Sequence, residues 1–281
     1  MRLHVIDTGF FKLDGGAMFG VVPKTLWHKI NPADENNLCT WAMRCLLIED
    51  GDRLILIDNG IGDKQSAKFF SYYYLHGEQS LLGSINEAGF SLDDVTDAFL
   101  THLHFDHCGG GVQYADEERK GPELVFKNAT YWSNEEHWKW AMEPNIREKA
   151  SFLKENLSPI KESGQLQFVV GQTPPFDAFD IIFADGHTEK QMLPKINYNG
   201  QIIIYAADLI PSVGHISLPY VMGFDIRPLV TLAEKEALLK EAADNNYILY
   251  FEHDPVNQCA TVKHTEKGVE LDKTFPLKEV L

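Results

Sequence analysis

The sequence predicts a mixed α/β fold in one domain that spans residues 1–281. Strand-like runs rich in β-branched and aromatic residues alternate with helical patterns along the whole chain. No Gly/Ser-rich linker, low-complexity segment or short repeat interrupts this alternation, and the 44% of hydrophobic residues is enough to fill a large core. Strand groups separated by helices predict sheets that are covered by helices.

The first half of the chain contains the strand candidates "RLHVID", "MRCLLIED", "DRLILIDNG", "DAFLTH" and "LVFKNATYW". The second and third of these flank "DG", which is typical of a hairpin. A helical pattern covers residues 64–89 and ends at Gly89, a residue type that is favoured just after a helix C-terminus. Another helical stretch runs to about Leu157, and Ser133 with Glu136 fits a capping box at its start.

The second half adds the strand candidates "LQFVV", "DIIFADG", "QIIIYAAD" and "YILYFEHDP". Between the last two lies "LVTLAEKEALLKEAADNN", the clearest amphipathic helix of the chain. Its leucines recur among polar residues at helical spacing, and they are Leu229, Leu232, Leu238 and Leu239.

Charge and composition restrict the partners. Lys and Arg number 25 against 41 Asp and Glu, a net charge of −16 that disfavours binding to nucleic acid. The four cysteines form no C-x-x-C pair, so we expect reduced thiols. There is no run of 18 apolar residues and no N-terminal apolar segment of signal-peptide length. We therefore expect a cytoplasmic protein that does not associate with a membrane.

The stretch "THLHFDHCGG", residues 101–110, follows a strand candidate and indicates a metal site. His102 and His104 are two residues apart, so at the end of an extended strand their imidazoles point to the same side and can bind one ion. Asp106 and His107 follow where the chain must turn, and they can hold a second ion nearby. Imidazole with carboxylate suits zinc, iron, manganese or cobalt. We interpret Cys108 as a packing residue.

Four side chains are too few for two ions, so further ligands are expected at other strand ends. Three candidates follow strand-like runs: His187 in "DIIFADGHTE", Asp208 in "QIIIYAADLIP" and His253 in "YILYFEHDP". A single histidine in such a position is more often structural. Three candidates in the same topological position favour a site, because ligands in layered α/β folds gather outside strand ends.

These motifs resemble the ordered set of the metallo-β-lactamase superfamily, over nearly the whole chain, with Asp58 in "LILIDNGIG" matching an early Asp motif. The resemblance implies a four-layer αββα sandwich with a two-metal site at one edge. Carried over by position, His102, His104 and His187 would bind the first metal, and Asp106, His107 and His253 the second. Asp208 would bridge both ions, and Asp58 would hydrogen-bond a ligand or its loop.

The resemblance further implies a metal-dependent hydrolase in which two divalent ions share a hydroxide. Zinc is the expected metal, with manganese, iron and cobalt left open. Asp106 or Asp208 would carry a proton to the leaving group. A lactone or related carboxylic ester is the expected substrate. A glyoxalase-II-like thioesterase, a phosphotriesterase and a non-catalytic metal-binding protein remain alternatives.

Two segments are expected to select the substrate. Residues 12–37 are rich in Gly and aromatics, and we expect them to close over the metals with Phe19 and Trp27 lining a pocket, although both rings could equally pack into the core. Within it, "DGGAMFGVVPKTLW", like residues 207–225, resembles the YtnP-like branch of the superfamily, described as quorum-quenching lactonases, and the similar methyl parathion hydrolase group. His215 could contact substrate or hold the loop after Asp208. A homodimer is an open alternative to a monomer.

Overall fold

In the computed structural model of the protein, residues 1–115, 121–171 and 177–280 are described. The chain divides into two compact units. The first unit contains residues 1–9, 43–72 and 76–178, and the second contains residues 10–42, 73–75 and 179–281. The prediction of a single domain over residues 1–281 stays a prediction.

Strands and helices alternate through both units. The strands are β1 (Arg2–Asp14), β2 (Leu38–Asp50), β3 (Arg53–Ile57), β4 (Asp97–Phe99), β5 (Val112–Tyr114), β6 (Pro122–Leu124), β7 (Thr130–Ser133), β8 (Leu166–Phe168), β9 (Phe179–Ala184), β10 (Gln191–Tyr198), β11 (Gln201–Tyr205), β12 (Ile248–Tyr250), β13 (Cys259–Thr265) and β14 (Gly268–Phe275). The α-helices are α1 (Gly15–Phe19), α2 (Lys24–Trp27), α3 (Ala67–Phe70), α4 (Leu81–Glu87), α5 (Phe105–Cys108), α6 (Glu135–Met142), α7 (Lys154–Glu162) and α8 (Pro228–Asn245). Short 3₁₀ helices cover Leu92–Asp94, Gly109–Gly111, Ala207–Leu209, Val213–His215 and Leu277–Glu279. This confirms the predicted mixed α/β class.

One sheet has the strand order β1-β2-β3-β4-β7-β8. The predicted hairpin is present, since Asp50 pairs with Arg53 across a two-residue turn in which Gly51 has a φ of +60°. Strands β3 and β4 are parallel, and Ile57 lies opposite Phe99. The chain therefore leaves both strands at the same edge of the sheet, which brings the segment after β3 next to the segment after β4.

The second unit contains a sheet with the order β14-β13-β12-β11-β10-β9. Strand β10 is antiparallel to both β9 and β11, so β9 and β11 run in the same direction. Strand β12 is parallel to β11, with Tyr205 opposite Tyr250. The C-terminal ends of β9, β11 and β12 therefore lie at one edge of this sheet, and the three later ligand candidates follow these ends.

Several sequence predictions of individual elements were wrong or incomplete. The helical pattern over residues 64–89 forms two short helices, α3 and α4, although Gly89 does follow the second with a φ of +91°. The capping box of Ser133 and Glu136 is absent, because Ser133 ends β7 and the side chain of Asn134 caps α6 by accepting a hydrogen bond from the His137 amide. Leu229 lies on the exposed side of α8, 80% accessible to solvent.

Other elements were not predicted at all. Within "LVFKNATYW", Leu124 ends β6 and residues 130–132 belong to β7, while residues 125–129 are in neither strand; β5, β10 and the β13–β14 hairpin were not predicted. In β10 the only uninterrupted apolar run is short and contains Pro194, which argues against a strand. None of the described helices combines the length and the apolar character that a membrane span requires.

Candidate metal centre

The histidine-rich stretch of the first unit forms a compact buried cluster, which we call the first ligand cluster: His102, His104, Asp106 and His107. The cluster follows strand β4. His104 is the residue before α5, and Asp106 and His107 lie within this helix. The His102 Nε2 lies 3.1 Å from the His104 Nδ1, and the His107 Nε2 lies 3.9 Å from the Asp106 Oδ2. All four side chains are buried.

Asp58 connects two imidazoles of this cluster. Its Oδ1 accepts a hydrogen bond from the Thr101 amide at 2.8 Å, and its Oδ2 accepts one from the Thr101 hydroxyl at 2.7 Å. The same Oδ2 lies 3.1 Å from the His107 Nδ1, and the Thr101 hydroxyl lies 3.1 Å from the His102 Nδ1. Asp58 is fully buried and has a φ of +56°. It therefore fixes His107 directly and His102 through Thr101.

Two further side chains support the cluster, and the sequence analysis singled out neither. The His137 Nε2 accepts a hydrogen bond from the Leu103 amide at 2.9 Å, between the first two ligand candidates. The Glu148 Oε1 lies 3.6 Å from the His104 Nε2, on the opposite side of that ring from His102. A lone buried His and a lone Glu carry no signal in a sequence, because only the folded chain shows what they contact.

The glycines after the cluster are needed for close packing and not for an unusual turn. Gly109 has a helical φ of −64°, but a Cβ on it would overlap the backbone of Ile61. A Cβ on Gly110 would likewise overlap the carbonyl of Asn59. Since the Asn59 amide donates to the His107 carbonyl at 2.9 Å, this close approach holds the segment after β3 against the ligand turn.

Cys108 packs inside the first unit, as expected. Its Sγ donates to the Leu103 carbonyl at 3.4 Å, and burial raises the pKa of the thiol to about 12. The thiol is therefore neutral at physiological pH.

The second unit gathers the other three candidates in a second ligand cluster: His187, Asp208 and His253. The His187 Nε2 lies 3.0 Å from the Asp208 Oδ2, and the His253 Nε2 lies 3.1 Å from the Asp208 Oδ1. Each oxygen of one carboxylate thus faces a different imidazole. Burial alone lowers the pKa of His187, but the Asp208 and Asp225 carboxylates outweigh it and raise the pKa to about 10.

Both imidazoles of this cluster have an acceptor on their other nitrogen. The His187 Nδ1 lies 2.9 Å from the Asp225 Oδ1, and the His253 Nδ1 lies 2.7 Å from the Ala42 carbonyl oxygen. In a neutral imidazole, an acceptor on Nδ1 holds the proton there and leaves the lone pair on Nε2. Asp225 was not predicted, because it follows no strand, and no residue pattern could have revealed the carbonyl of Ala42.

The donors of both clusters fit divalent transition metals. They are imidazole nitrogens and carboxylate oxygens, which zinc and its neighbours accept. Metal-binding histidines nearly always donate their second ring N–H to a carboxylate, hydroxyl or carbonyl. His102, His107, His187 and His253 each have such a partner at Nδ1. These ring orientations are compatible with metal binding through Nε2.

The three residues that were expected to meet substrate form an aromatic stack in the second unit. The Phe19 ring lies parallel to the His215 ring at 4.6 Å and to the Trp27 ring at 5.3 Å between centroids. The His215 Nε2 lies 2.9 Å from the Met18 carbonyl and its Nδ1 lies 2.8 Å from the Ser212 hydroxyl. Burial lowers the pKa of His215 to about 3, so the ring is neutral.

All three stacked side chains are almost fully buried. A cavity of about 650 Å³ in the same unit is lined by other residues, from segment 213–219, α8, the last hairpin and, within residues 12–37, Ile30. Phe19 and Trp27 thus pack in the interior of this unit. His215 connects the loop after Asp208 to α1 through its contact with the Met18 carbonyl. Their contact with substrate stays a prediction.

Comparisons with known proteins match this fold over most of the chain. The sequence profile described as "Metallo-beta-lactamase superfamily" matches residues 44–253. An N-acyl homoserine lactonase of Bacillus cereus is 23% identical over 265 residues, which cover 90% of this chain and 93% of the lactonase.

Solved structures agree. A probable metal-dependent hydrolase from Staphylococcus aureus has a TM-score of 0.87 at 26% identity, covering 98% of this chain and 96% of the hydrolase. AidC, a dizinc quorum-quenching lactonase solved with a product, has a TM-score of 0.79 at 23% identity, covering 98% and 95% of the two chains. The predicted metallo-β-lactamase fold is confirmed. Because the profile spans most of the chain and includes both ligand clusters, this protein belongs to the metallo-β-lactamase superfamily, as a metal-dependent hydrolase.

Proposed function

We propose that this protein hydrolyses a lactone, or a closely related carboxylic ester, with two divalent cations held by the seven side chains of the two ligand clusters. The arrangement of Asp208 carries the proposal, since its two oxygens lie 3.0 and 3.1 Å from the Nε2 atoms of two different histidines. A carboxylate between two imidazoles is suited to bridge two ions. Zinc is the proposed metal, because nitrogen and oxygen ligands in this ratio are typical of zinc hydrolases.

We assign the ligands by the motif order of the family. His102, His104 and His187 would hold one ion, Asp106, His107 and His253 would hold the other, and Asp208 would be shared by both. When bound, the two ions would activate a water as nucleophile and polarise the scissile carbonyl.

The remaining chemistry belongs to the side chains. Asp58 and Asp225 hold ligand rings in place, and Asp106 or Asp208 passes a proton to the alkoxide that leaves when the ester bond breaks. Both carboxylates are largely buried. The reaction consumes one water and produces a hydroxy acid, so it releases a proton at neutral pH.

The choice of a lactone rests on the relatives. The curated proteins that this chain resembles are N-acyl homoserine lactonases, and AidC is a lactonase. The familiar acyl-homoserine lactonases have a Tyr shortly after the bridging Asp, but this chain has the apolar sequence Leu209, Ile210 and Pro211 there. Leu209 and Ile210 are buried. Any further stabilisation of the oxyanion must therefore come from another residue or from the ions alone.

The decisive experiment combines metal analysis with a hydrolysis screen. Protein produced with added zinc should carry close to two zinc ions per chain by elemental analysis, and pH-stat titration should show turnover of N-acyl homoserine lactones above that of thioesters and phosphotriesters. A protein that binds zinc but cleaves only thioesters or phosphotriesters would contradict the substrate. A protein that binds no zinc would contradict the metal centre.

Asp208→Ala tests the bridge. This change should abolish lactone turnover and lower the zinc content below two ions per chain, because both proposed ions would lose the ligand that they share. Asp272→Ala is the matched control in the same unit, since Asp272 is part of an ion pair with Lys263 on the β13–β14 hairpin. Full turnover in Asp208→Ala would show that Asp208 is not required.

The proposed small-molecule substrate does not require a dimer, and light scattering would decide the oligomeric state.

A further inference from the structure

We infer that Asp225 is a positioning residue that fixes the orientation and the protonated nitrogen of His187. The inference rests on the proposed role of His187 as a metal ligand. The Asp225 Oδ1 lies 2.9 Å from the His187 Nδ1, and both side chains are about 98% buried. A buried carboxylate at this distance accepts the Nδ1–H, so in the neutral ring that binds a metal the lone pair of His187 is on Nε2. That atom faces Asp208.

The backbone holds Asp225 in register with His187. Directly after Asp225, the Ile226 amide donates to the His187 carbonyl at 3.3 Å, and the Arg227 amide donates to the Gly186 carbonyl at 2.9 Å. The Asp225 side chain therefore reaches His187 from a segment that is hydrogen-bonded alongside it. A side chain held in this way loses little conformational entropy when it accepts the imidazole N–H.

Residues in the first half of α8 contact the turn that carries His187. The Glu234 carboxylate accepts hydrogen bonds from the Asp185 and Gly186 amides at 2.7 and 3.0 Å. A Cβ on Gly186 would overlap the backbone and hydroxyl of Thr231, so only glycine allows this approach. The Arg227 guanidinium adds a hydrogen bond to the Asp185 carbonyl at 2.7 Å. The turn that carries His187 thus cannot move without breaking these three hydrogen bonds.

This arrangement gives the carboxylate a definite chemical effect. An acceptor on one ring nitrogen of a metal-binding histidine selects the tautomer, fixes the ring plane and makes the other nitrogen more basic. A negatively charged acceptor does this more strongly than a neutral one. Asp225 also ends segment 207–225, in which we expect substrate contacts, so a change in this segment can reach the metal ligand through one hydrogen bond.

Zinc affinity measured by chelator competition tests the inference on the whole chain. Asp225→Ala leaves the Nδ1–H of His187 without this acceptor, and we expect it to weaken the binding of the zinc that His187 would hold by roughly 10- to 100-fold. Asp225→Asn keeps an oxygen that can accept but loses the charge, so we expect a smaller loss of about threefold or more. Asp97→Asn is the control, because Asp97 is a buried, hydrogen-bonded carboxylate of the first unit that contacts Arg53 and Trp132.

The absorption spectrum of bound cobalt is a second measurement, and a loss of stability alone would not change it. The d–d absorption of the Co²⁺-loaded protein reports ligand geometry, so it should change in both Asp225 variants and stay unchanged in Asp97→Asn. Wild-type affinity and an unchanged cobalt spectrum in both variants would overturn the inference. If circular dichroism shows that Asp225→Ala does not fold, wild-type affinity and an unchanged cobalt spectrum in the isosteric Asp225→Asn alone overturn the inference.

The test separates this inference from the proposed function. A wild-type protein that binds zinc but opens no lactone contradicts the substrate and leaves the affinity comparison valid. A wild-type protein without zinc or cobalt affinity overturns both.

Discussion

Replacing Asp58 by Asn tests whether this buried carboxylate organises the first ligand cluster. Its Oδ2 accepts from the Thr101 hydroxyl at 2.7 Å and lies 3.1 Å from the His107 Nδ1. In Asp58→Asn, the oxygen can remain on the Thr101 amide, but the new NH₂ group then points at two donors. The hydroxyl must rotate away, and His107 must move its proton to Nε2 or lose its partner. A proton on Nε2 removes the lone pair that would bind the proposed metal, and a ring without its partner at Nδ1 is no longer held in the orientation for binding.

The size of the effect follows from the contacts. A buried polar group left without a good partner costs about 1–3 kcal/mol, so two such groups lower the free energy of unfolding by roughly 3 kcal/mol. With a urea m-value of roughly 3 kcal/mol/M, the midpoint of unfolding should fall by about 1 M. Zinc affinity should fall by roughly 10- to 100-fold, as is typical when the partner of a ligating histidine is lost.

The assay is urea unfolding of the chelated protein, followed by chelator competition for zinc. Asp97→Asn is the control, since Asp97 is also buried and accepts from Arg53 at 3.0 Å and Trp132 at 2.9 Å. That variant should lose stability and keep its zinc affinity. Wild-type zinc affinity in Asp58→Asn would refute the reasoning, and equal losses of affinity in the two variants would attribute the effect to general destabilisation.

Three further changes probe the second unit. Gly186→Ala should lower the urea midpoint and the zinc affinity together, because the new Cβ overlaps Thr231 at the start of α8; an unchanged protein would show that the approach is not tight. Burial lowers the pKa of Lys235 to about 7, so between pH 7 and its unfolded value near 10.5 the unfolded chain binds more protons and stability rises with pH. Lys235→Met should flatten that rise in urea unfolding, and an identical slope would contradict it. Phe19→Ala removes the ring stacked on His215 and should cost about 3–5 kcal/mol of stability, so a loss below 1 kcal/mol would argue against a packing role.

The sequence located the ligand candidates because their positions follow from strand direction. His102 and His104 follow a parallel strand, and His187, Asp208 and His253 follow three strands that end at one edge of a sheet. A run of β-branched residues that stops at a His or Asp is visible without any tertiary information. The signals for the hairpin turn at "DG" and for the glycine after α4 also lie in the local sequence, and both features were predicted.

The elements that the sequence analysis missed depend on tertiary contacts. Strand β10 contains Pro194 and Lys195, yet it pairs on both sides because neighbouring strands satisfy its backbone. Asn134 displaced Ser133 as the cap of α6 because β7 continues through Ser133 to pair with β8. In each case the competing local signal was real, and long-range pairing outweighed it.

The acceptors behind the ligand rings are the least predictable part of the site, and they also distinguish the rings chemically. His107 and His187 face carboxylates, while His102 faces a hydroxyl and His253 a carbonyl oxygen. A carboxylate makes an imidazole the stronger donor. We therefore expect His107 and His187 to be the stronger metal ligands of their clusters. Motif spacing alone treats these histidines as equivalent, and it is the contacts of their Nδ1 atoms, supplied by distant parts of each unit, that make them differ.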